Sequence, residues 1–176
     1  MTPTILIVPG LGSSGPQHWQ TLWGRQHPEF FRVEQHDWET PHCSDWMTML
    51  DKTVMQHDPA EVIVVAHSLA CIAVAIWARE YKRSIKAALL VAPADTEAAG
   101  FPEGTTGFTP IPLETLPFQS LLVASTNDPY VTETRARQLA LAWGSDFIGI
   151  GEAGHINADA GFGAWDQGLA LLKRLY

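Results

Sequence analysis

The sequence predicts a three-layer α/β/α protein built around a mainly parallel sheet of about six strands. Three observations support this fold class. Short apolar runs rich in β-branched residues recur along the 176-residue chain, several intervals between them show helical periodicity, and the runs are apolar on both faces. Strands with two apolar faces that alternate with helices are typical of a parallel sheet covered by helices on both sides.

The predicted strands are the six apolar runs at residues 4–8, 31–34, 62–65, 87–91, 121–125 and 147–150. We expect the strand order 2-1-3-4-5-6, one of the orders found in doubly wound sheets. Because the chain has no internal repeat or low-complexity tract, we predict a single domain over residues 1–176.

Four segments are predicted to be helical. Ser44 is the predicted N-cap of one helix, and a second is predicted to begin at Thr132 and to end at Gly144. An apolar stripe over residues 162–172 predicts a third helix. Residues 69–80 are apolar nearly all round, which predicts a buried helix.

Residues 93–117 do not follow the alternation of strands and helices. They contain five prolines and three glycines and show no helical period. A loop of this length in a compact domain is usually functional. We expect it to replace a crossover helix or to act as a lid.

Composition and charge exclude several classes of function. The net charge of −8 argues against nucleic acid or an anionic membrane as a partner. No apolar stretch is long enough to span a membrane, and the first ten residues lack the cationic region of a signal peptide. Cys43 and Cys71 give neither a disulfide framework nor metal-ligand spacing. We therefore expect a cytoplasmic protein without a metal ion.

Residues 62–73, VIVVAHSLACIA, place Ser68 between a predicted buried strand and a predicted buried helix. A serine at this position is typical of a nucleophile elbow, whose usual sequence is G-x-S-x-G. Ala66 and Ala70 replace the two glycines here. Alanine adds one methyl group where the strand and the helix nearly touch, so the elbow is still compatible with this sequence.

An acid and a histidine follow Ser68 in the chain order that such sites use. Asp128 comes after the fifth predicted strand and His155 after the sixth. All three residues stand at carboxyl ends of strands, which meet at one edge of a parallel sheet. We predict a catalytic triad of these residues, with Asp95 as the second-choice acid and His67 as a packing residue.

The loop after the first strand is predicted to complete the site. In the expected strand order, the turn at Gly10 and Leu11 lies beside Ser68. The backbone N–H groups of Leu11 and Leu69 are therefore predicted to form an oxyanion hole. Four aromatic residues are predicted to line the substrate pocket, with ordinary core packing as the alternative: Trp19, Trp38, Phe101 and Phe108.

The same loop also fits a dinucleotide-binding motif. Residues 10–15 read G-x-G-x-x-G after a strand, and Glu34 follows roughly 20 residues later. Pro9 and Pro16 argue against this motif, because they stiffen the segment where a Rossmann helix would begin to pack. A nucleotide-binding Rossmann-type protein is the less favoured alternative. A non-catalytic protein-interaction module on a hydrolase scaffold is the other alternative function.

Taken together, the motifs resemble the small, lidless α/β-hydrolases of the YdeN and retinoblastoma-binding protein 9 family. The matching stretches are PGxxxSxxxHW (9–19), WxxPxxxxW (38–46), HSL (67–69), VAPxD (91–95), NDPYV (127–131) and AGHIN (153–157), followed by Gly163 and Trp165.

The resemblance implies a minimal α/β-hydrolase fold without a cap domain and the triad Ser68, Asp128 and His155. It also implies hydrolysis of small ester or amide substrates, aminoacyl compounds among them, without an organic cofactor or a metal. The retinoblastoma-binding sequence LxCxE reads LACIA at residues 69–73, without its glutamate and in a predicted buried helix. We therefore expect a small-molecule substrate and no retinoblastoma-type partner.

Overall fold

In a computed structural model that describes residues 2–176, six parallel strands form one sheet in the order β2-β1-β3-β4-β5-β6. Every neighbouring pair in this sheet is parallel. The predicted fold class and strand order are confirmed. The strands are β1 (Thr4–Val8), β2 (Phe31–Arg32), β3 (Val62–His67), β4 (Ala87–Val91), β5 (Gln119–Ala124) and β6 (Asp146–Gly149).

Helices cover both faces of the sheet. Side chains alternate between the two faces along each strand, so one strand contributes to two separate cores. Leu6 and Val64 face a core formed with α2, α3 and α4, whereas Ile5 and Ile63 face a core formed with α1 and α5. The helices are α1 (Trp19–Gln26), α2 (Cys43–Val54), α3 (Leu69–Tyr81), α4 (Glu133–Trp143) and α5 (Asp166–Lys173).

The buried helix and one pair of helix ends agree with the sequence. The first ten residues of α3 are buried, as its apolar character predicts. Helix α4 is capped by Thr132, whose hydroxyl accepts a hydrogen bond from the N–H of Arg135 at 3.1 Å. It ends at Gly144, whose φ of 70° is the left-handed conformation that favours glycine.

Several predicted boundaries are wrong, among them the following three. Helix α2 begins at Cys43 with His42 as its N-cap, because the N–H of Cys43 donates to the carbonyl of Thr106 and ties the helix start to a distant loop. Strand β2 ends at Arg32 rather than at residue 34. The last helix begins at Asp166, four residues later than the apolar stripe indicates.

No helix lies between β4 and β5, so the predicted loop at residues 93–117 replaces a crossover helix, and no cap domain is inserted. Side-chain contacts hold this loop together and tie it to α4. Thr96 donates its hydroxyl to the carbonyl of Phe108 at 2.8 Å. The guanidinium of Arg135 forms ion pairs with Asp95 and Glu97. Within residues 2–176, no helix is long and apolar enough to cross a bilayer.

Candidate active site

Ser68 occupies the turn between β3 and α3 in a strained backbone conformation. Its φ of 58° and ψ of −124° are unusual for a residue with a side chain. The N–H of Ser68 donates to the carbonyl of Val91 on the neighbouring strand at 2.9 Å. Ala66 and Ala70 are completely buried on either side of the turn. The sharp strand-to-helix turn predicted for this serine is therefore present without the two usual glycines.

Gly10, directly beyond β1, lies against this turn. A Cβ atom at Gly10 would lie 2.8 Å from the carbonyl oxygen of His67 and 3.0 Å from Cβ of Ser68. Neither distance leaves room for a side chain, so the close approach requires glycine. The predicted position of the residue 10–11 turn beside Ser68 agrees with this contact.

Three side chains from separate turns form one chain of hydrogen bonds. The Ser68 hydroxyl lies 2.8 Å from Nε2 of His155. Nδ1 of the same ring lies 2.9 and 3.0 Å from the two carboxylate oxygens of Asp128. Because a carboxylate accepts hydrogen bonds, Nδ1 carries the proton, and Nε2 is left to accept the serine hydroxyl. The Asp128 side chain is fully buried and that of His155 nearly so.

The turns that carry Asp128 and His155 are also joined directly. Oδ1 of Asn127 accepts the N–H of Gly154 at 2.7 Å, and the hydroxyl of Ser125 donates to the carbonyl of Gly154 at 2.5 Å. The N–H of Tyr130 donates to Asp128 at 2.8 Å. These contacts hold the acid and the imidazole in register. No role for Ser125 or Asn127 was predicted from the sequence, although both lie within three residues of Asp128.

Asp95, the second-choice acid, has different partners. Its carboxylate lies 3.5 Å from Nε of Arg135 and accepts the N–H of Glu97 at 3.2 Å. It anchors the residue 93–117 loop to α4, and Asp128 is the carboxylate that contacts the imidazole of His155.

Leu11 and Leu69 border the same cavity as Ser68. Leu69 is the first residue of α3, and Leu11 is the first residue of a short 3₁₀ turn, Leu11–Ser13. The N–H group of a first helical residue has no acceptor within its own helix. Both amides are therefore available to a ligand next to the serine hydroxyl.

His67 combines packing with a hydrogen bond that the sequence did not reveal. Its ring packs between those of His18 and His155, with centroids 4.7 and 4.8 Å away. Nε2 donates to the backbone carbonyl of His155 at 2.9 Å. Burial lowers the pKa of His67 well below its ordinary value, and the nearby His155 and His18 lower it further. His67 is therefore neutral and bonds to the backbone of the residue that contacts Ser68.

Gln20 was also missed, and it braces the point where β1 and β3 end. Its side-chain amide donates to the carbonyls of Val8 and Val65 at 3.1 and 3.0 Å. Its carbonyl oxygen accepts the hydroxyl of Ser14 at 2.7 Å. Long-range contacts of this kind are not encoded in a local motif.

The cavity beside Ser68 has a volume of about 370 Å³. Of the four aromatic residues predicted to line it, only Phe101 does so. Trp19 and Phe108 are buried in the two cores, so that prediction is wrong for both. Trp38 packs on Trp46 and below the guanidinium of Arg32 instead. The lining residues are Leu11, Gly12, Ser14, Gly15, Pro16, Gln17, His18, His67, Ser68, Leu69, Phe101, Pro102, Tyr130, His155, Asn157, Ala158 and Asp159.

The glycine-rich loop does not have the geometry of a dinucleotide site. Helix α1 begins only at Trp19, four residues beyond Gly15, whereas a Rossmann helix begins at the glycine motif itself. Gly10 packs on the serine turn instead of approaching a phosphate. Glu34 lies beyond β2 and pairs with Arg32 at 3.1 Å. In residues 2–176, no three His, Cys, Asp or Glu side chains are grouped as a metal site requires.

The parallel sheet and the strained serine turn define an α/β-hydrolase that uses serine. The family model for serine hydrolases matches residues 5–174, almost the entire chain. The chain belongs to the serine hydrolase family. It is therefore a serine hydrolase, and the Rossmann-type alternative is rejected.

Several solved structures share this fold. A putative YdeN-like hydrolase from Pectobacterium atrosepticum is 34% identical, with a TM-score of 0.85 over 98% of this chain and 89% of its own. The ydeN gene product of B. subtilis is 17% identical, with a TM-score of 0.77 over 99% and 98%. Est1E from Butyrivibrio proteoclasticus, solved with ferulic acid bound, is 12% identical, with a TM-score of 0.69 over 98% and 86%. No curated protein sequence is significantly similar.

Proposed function

We propose that this protein hydrolyses small esters or amides through an acyl-enzyme intermediate on Ser68. The observation that carries the proposal is the continuous hydrogen-bonded chain from Ser68 through His155 to Asp128. A nucleophile, a base within hydrogen-bond reach and a group that orients the base are the parts that acyl transfer requires.

In the first half of the reaction, Oγ of Ser68 attacks the substrate carbonyl carbon while Nε2 of His155 takes the hydroxyl proton. The carbonyl oxygen becomes an oxyanion and accepts hydrogen bonds from the Leu11 and Leu69 amides. Each such donor contributes about 3–4 kcal/mol in comparable sites. The tetrahedral carbon then expels the alcohol or amine, which leaves with the proton that His155 returns.

In the second half, a water molecule takes the place of the departed alcohol or amine. His155 removes a proton from this water as its oxygen attacks the acyl carbon, and the bond to Ser68 breaks as the proton passes to Oγ. The carboxylic acid leaves and the serine hydroxyl is restored. Throughout, Asp128 keeps the imidazole in the tautomer with the proton on Nδ1 and stabilises the imidazolium.

The cavity supports a small and predominantly apolar acyl group. Leu11, Leu69, Phe101 and Pro102 supply apolar wall next to the serine. No lysine or arginine lines this cavity in the part of the chain that the structure describes. A neutral acyl chain therefore fits this lining better than one that carries a carboxylate.

A fluorophosphonate probe tests the proposal, because it phosphonylates a serine only where the serine is activated. We expect labelling of the wild-type protein at Ser68, and Ser68→Ala should abolish both labelling and the hydrolysis of phenyl butyrate. A folded wild-type protein that is neither labelled nor active would refute the proposal. That outcome would favour a non-catalytic interaction module on the same scaffold.

The role of the acid is tested by a matched pair of variants. Asp128→Asn should lower kcat by up to ~10⁴-fold, since the imidazole loses the partner that fixes its tautomer. Asp95→Asn removes a carboxylate of the same size that contacts Arg135 instead, and we expect it to remain within about threefold of the wild-type rate. The reverse ranking of the two variants would assign the acid role to Asp95.

A further inference from the structure

His18 borders the cavity but takes no part in the reaction proposed above. It is the N-cap of α1, and the residue is only 5% exposed. Nδ1 accepts the N–H of Gln20 at 3.2 Å. Because Nδ1 uses its lone pair in this bond, the neutral ring carries its hydrogen on Nε2.

The Nε2–H group of His18 has no acceptor in residues 2–176, and the atom itself is buried. Its ring is surrounded mainly by other rings, with Trp19 and His67 at centroid distances of 5.2 and 4.7 Å. Buried polar groups nearly always have hydrogen-bond partners. His18 lines the substrate cavity, so a bound group that shifts the rings around it would bring an acceptor to Nε2.

The charge state of His18 limits what that acceptor is. Burial, together with the nearby His155 and Arg32, lowers its pKa to about 4, so the ring is a neutral donor at pH 7. Asp159 also lines the cavity. A neutral donor in a cavity that an acidic residue also lines favours a neutral oxygen, such as a carbonyl, ether or hydroxyl, over a carboxylate.

We propose that Nε2–H of His18 binds a second, neutral oxygen of the substrate and thereby selects acyl compounds that carry one. The scissile carbonyl oxygen is already assigned to the Leu11 and Leu69 amides, so the acceptor lies elsewhere on the acyl chain or on the alcohol. This inference rests on the proposed hydrolysis at Ser68.

Substrate pairs that differ by one oxygen test the selection. On the acyl side, phenyl esters of butyric and longer straight-chain acids are compared with analogues in which an ether oxygen replaces one methylene, position by position. On the alcohol side, butyl butyrate is compared with 2-methoxyethyl butyrate. Each ratio is divided by the ratio of the hydroxide-catalysed rates, which removes differences in intrinsic reactivity.

We expect the wild-type protein to prefer the oxygen-containing member of at least one pair by about 5- to 100-fold in kcat/KM, the range for a hydrogen bond that a buried donor otherwise lacks. The preference should reside in KM, because the donor contacts a part of the substrate that does not react. His18→Asn should remove the preference, since asparagine caps α1 equally well but is too short to carry the donor to the cavity. His18→Gln should retain it, because its amide nitrogen reaches about as far as Nε2.

The melting temperatures of the variants distinguish substrate selection by His18 from a purely structural role. As an N-cap, glutamine is poorer than asparagine, so His18→Gln should have the lower melting temperature and yet keep the preference. His27→Asn, at the other end of α1, serves as the control and should keep the wild-type preference. If the kinetic losses follow the melting temperatures, or if no pair is discriminated by an active wild-type protein, the selection by His18 is refuted. A wild-type protein that hydrolyses neither esters nor amides and is not labelled by the fluorophosphonate would instead refute the proposed function.

Discussion

Lowering the pH from 7.5 to 5 is expected to weaken the fold through His18 and His67. Burial lowers the pKa of both rings, which are neutral in the folded protein at pH 7. In the unfolded chain each ring regains an ordinary pKa near 6.5 and takes up a proton as the pH falls below it. The unfolded state then binds more protons than the folded state, so the free energy of unfolding decreases with pH in this range.

The size of the effect follows from the pKa of His18, which burial lowers from 6.5 to about 4. Each unit of difference between the folded and unfolded pKa corresponds to about 1.4 kcal/mol. The contribution from His18 is complete above pH 6.5 and is lost as the pH falls towards 4. By pH 5 the loss is about 2 kcal/mol, which is a large fraction of the stability of an ordinary domain. His67 adds a loss of the same sign.

Urea unfolding followed by the fluorescence of the seven tryptophans measures this loss at pH 7.5, 6.5, 5.5 and 5. His18→Gln removes one titrating ring, so its free energy of unfolding should fall by about 2 kcal/mol less than that of the wild-type protein over this range. The difference should develop below pH 6.5 and be absent above it. Parallel curves for the two proteins would refute the assignment of His18 as a buried neutral histidine.

Two further predictions concern the groups that hold the serine turn. Gly10→Ala should lower kcat/KM by at least ~100-fold, because its Cβ would overlap the carbonyl of His67 and displace Ser68. Gly24→Ala, whose Cβ meets only ordinary contact at 3.7 Å, should keep the wild-type rate in the same assay, and equal rates for the two variants would contradict this explanation. His67→Phe should lower kcat about 10-fold with little change in KM, since the carbonyl of His155 loses its donor, and His67→Gln should restore most of the rate. A loss of rate in His67→Phe that appears only in KM would show that this bond does not position the imidazole.

The sheet and the proposed triad residues were predictable because they depend on local pattern and on one rule of topology. Apolar runs marked all six strands, and the carboxyl ends of parallel strands meet at one edge. Ser68, Asp128 and His155 each lie in the turn that follows a strand, so their positions in the sequence implied that they lie near one another. The interatomic distances then follow from contacts between the turns, such as the bond from Asn127 to Gly154.

The orientation of aromatic rings and the first residue of a helix were not predictable in this way. Phe101 lines the cavity, and Trp19 directly follows His18, which also lines it. Trp19 nevertheless donates its indole N–H to the carbonyl of Ile156 and lies in the core. The start of α2 depends on Thr106, more than 60 residues away along the chain. The roles of His18 and His67 depend on rings that pack against each other across three elements. No periodicity or motif reports contacts of this range.

Neutral side chains brace the edge of the sheet that carries Ser68. Gln20 joins the ends of β1 and β3, Ser125 and Asn127 join the turns of Asp128 and His155, and His67 bonds to the backbone of His155. Because none of these bonds relies on a net charge, we expect moderate salt to leave the site intact.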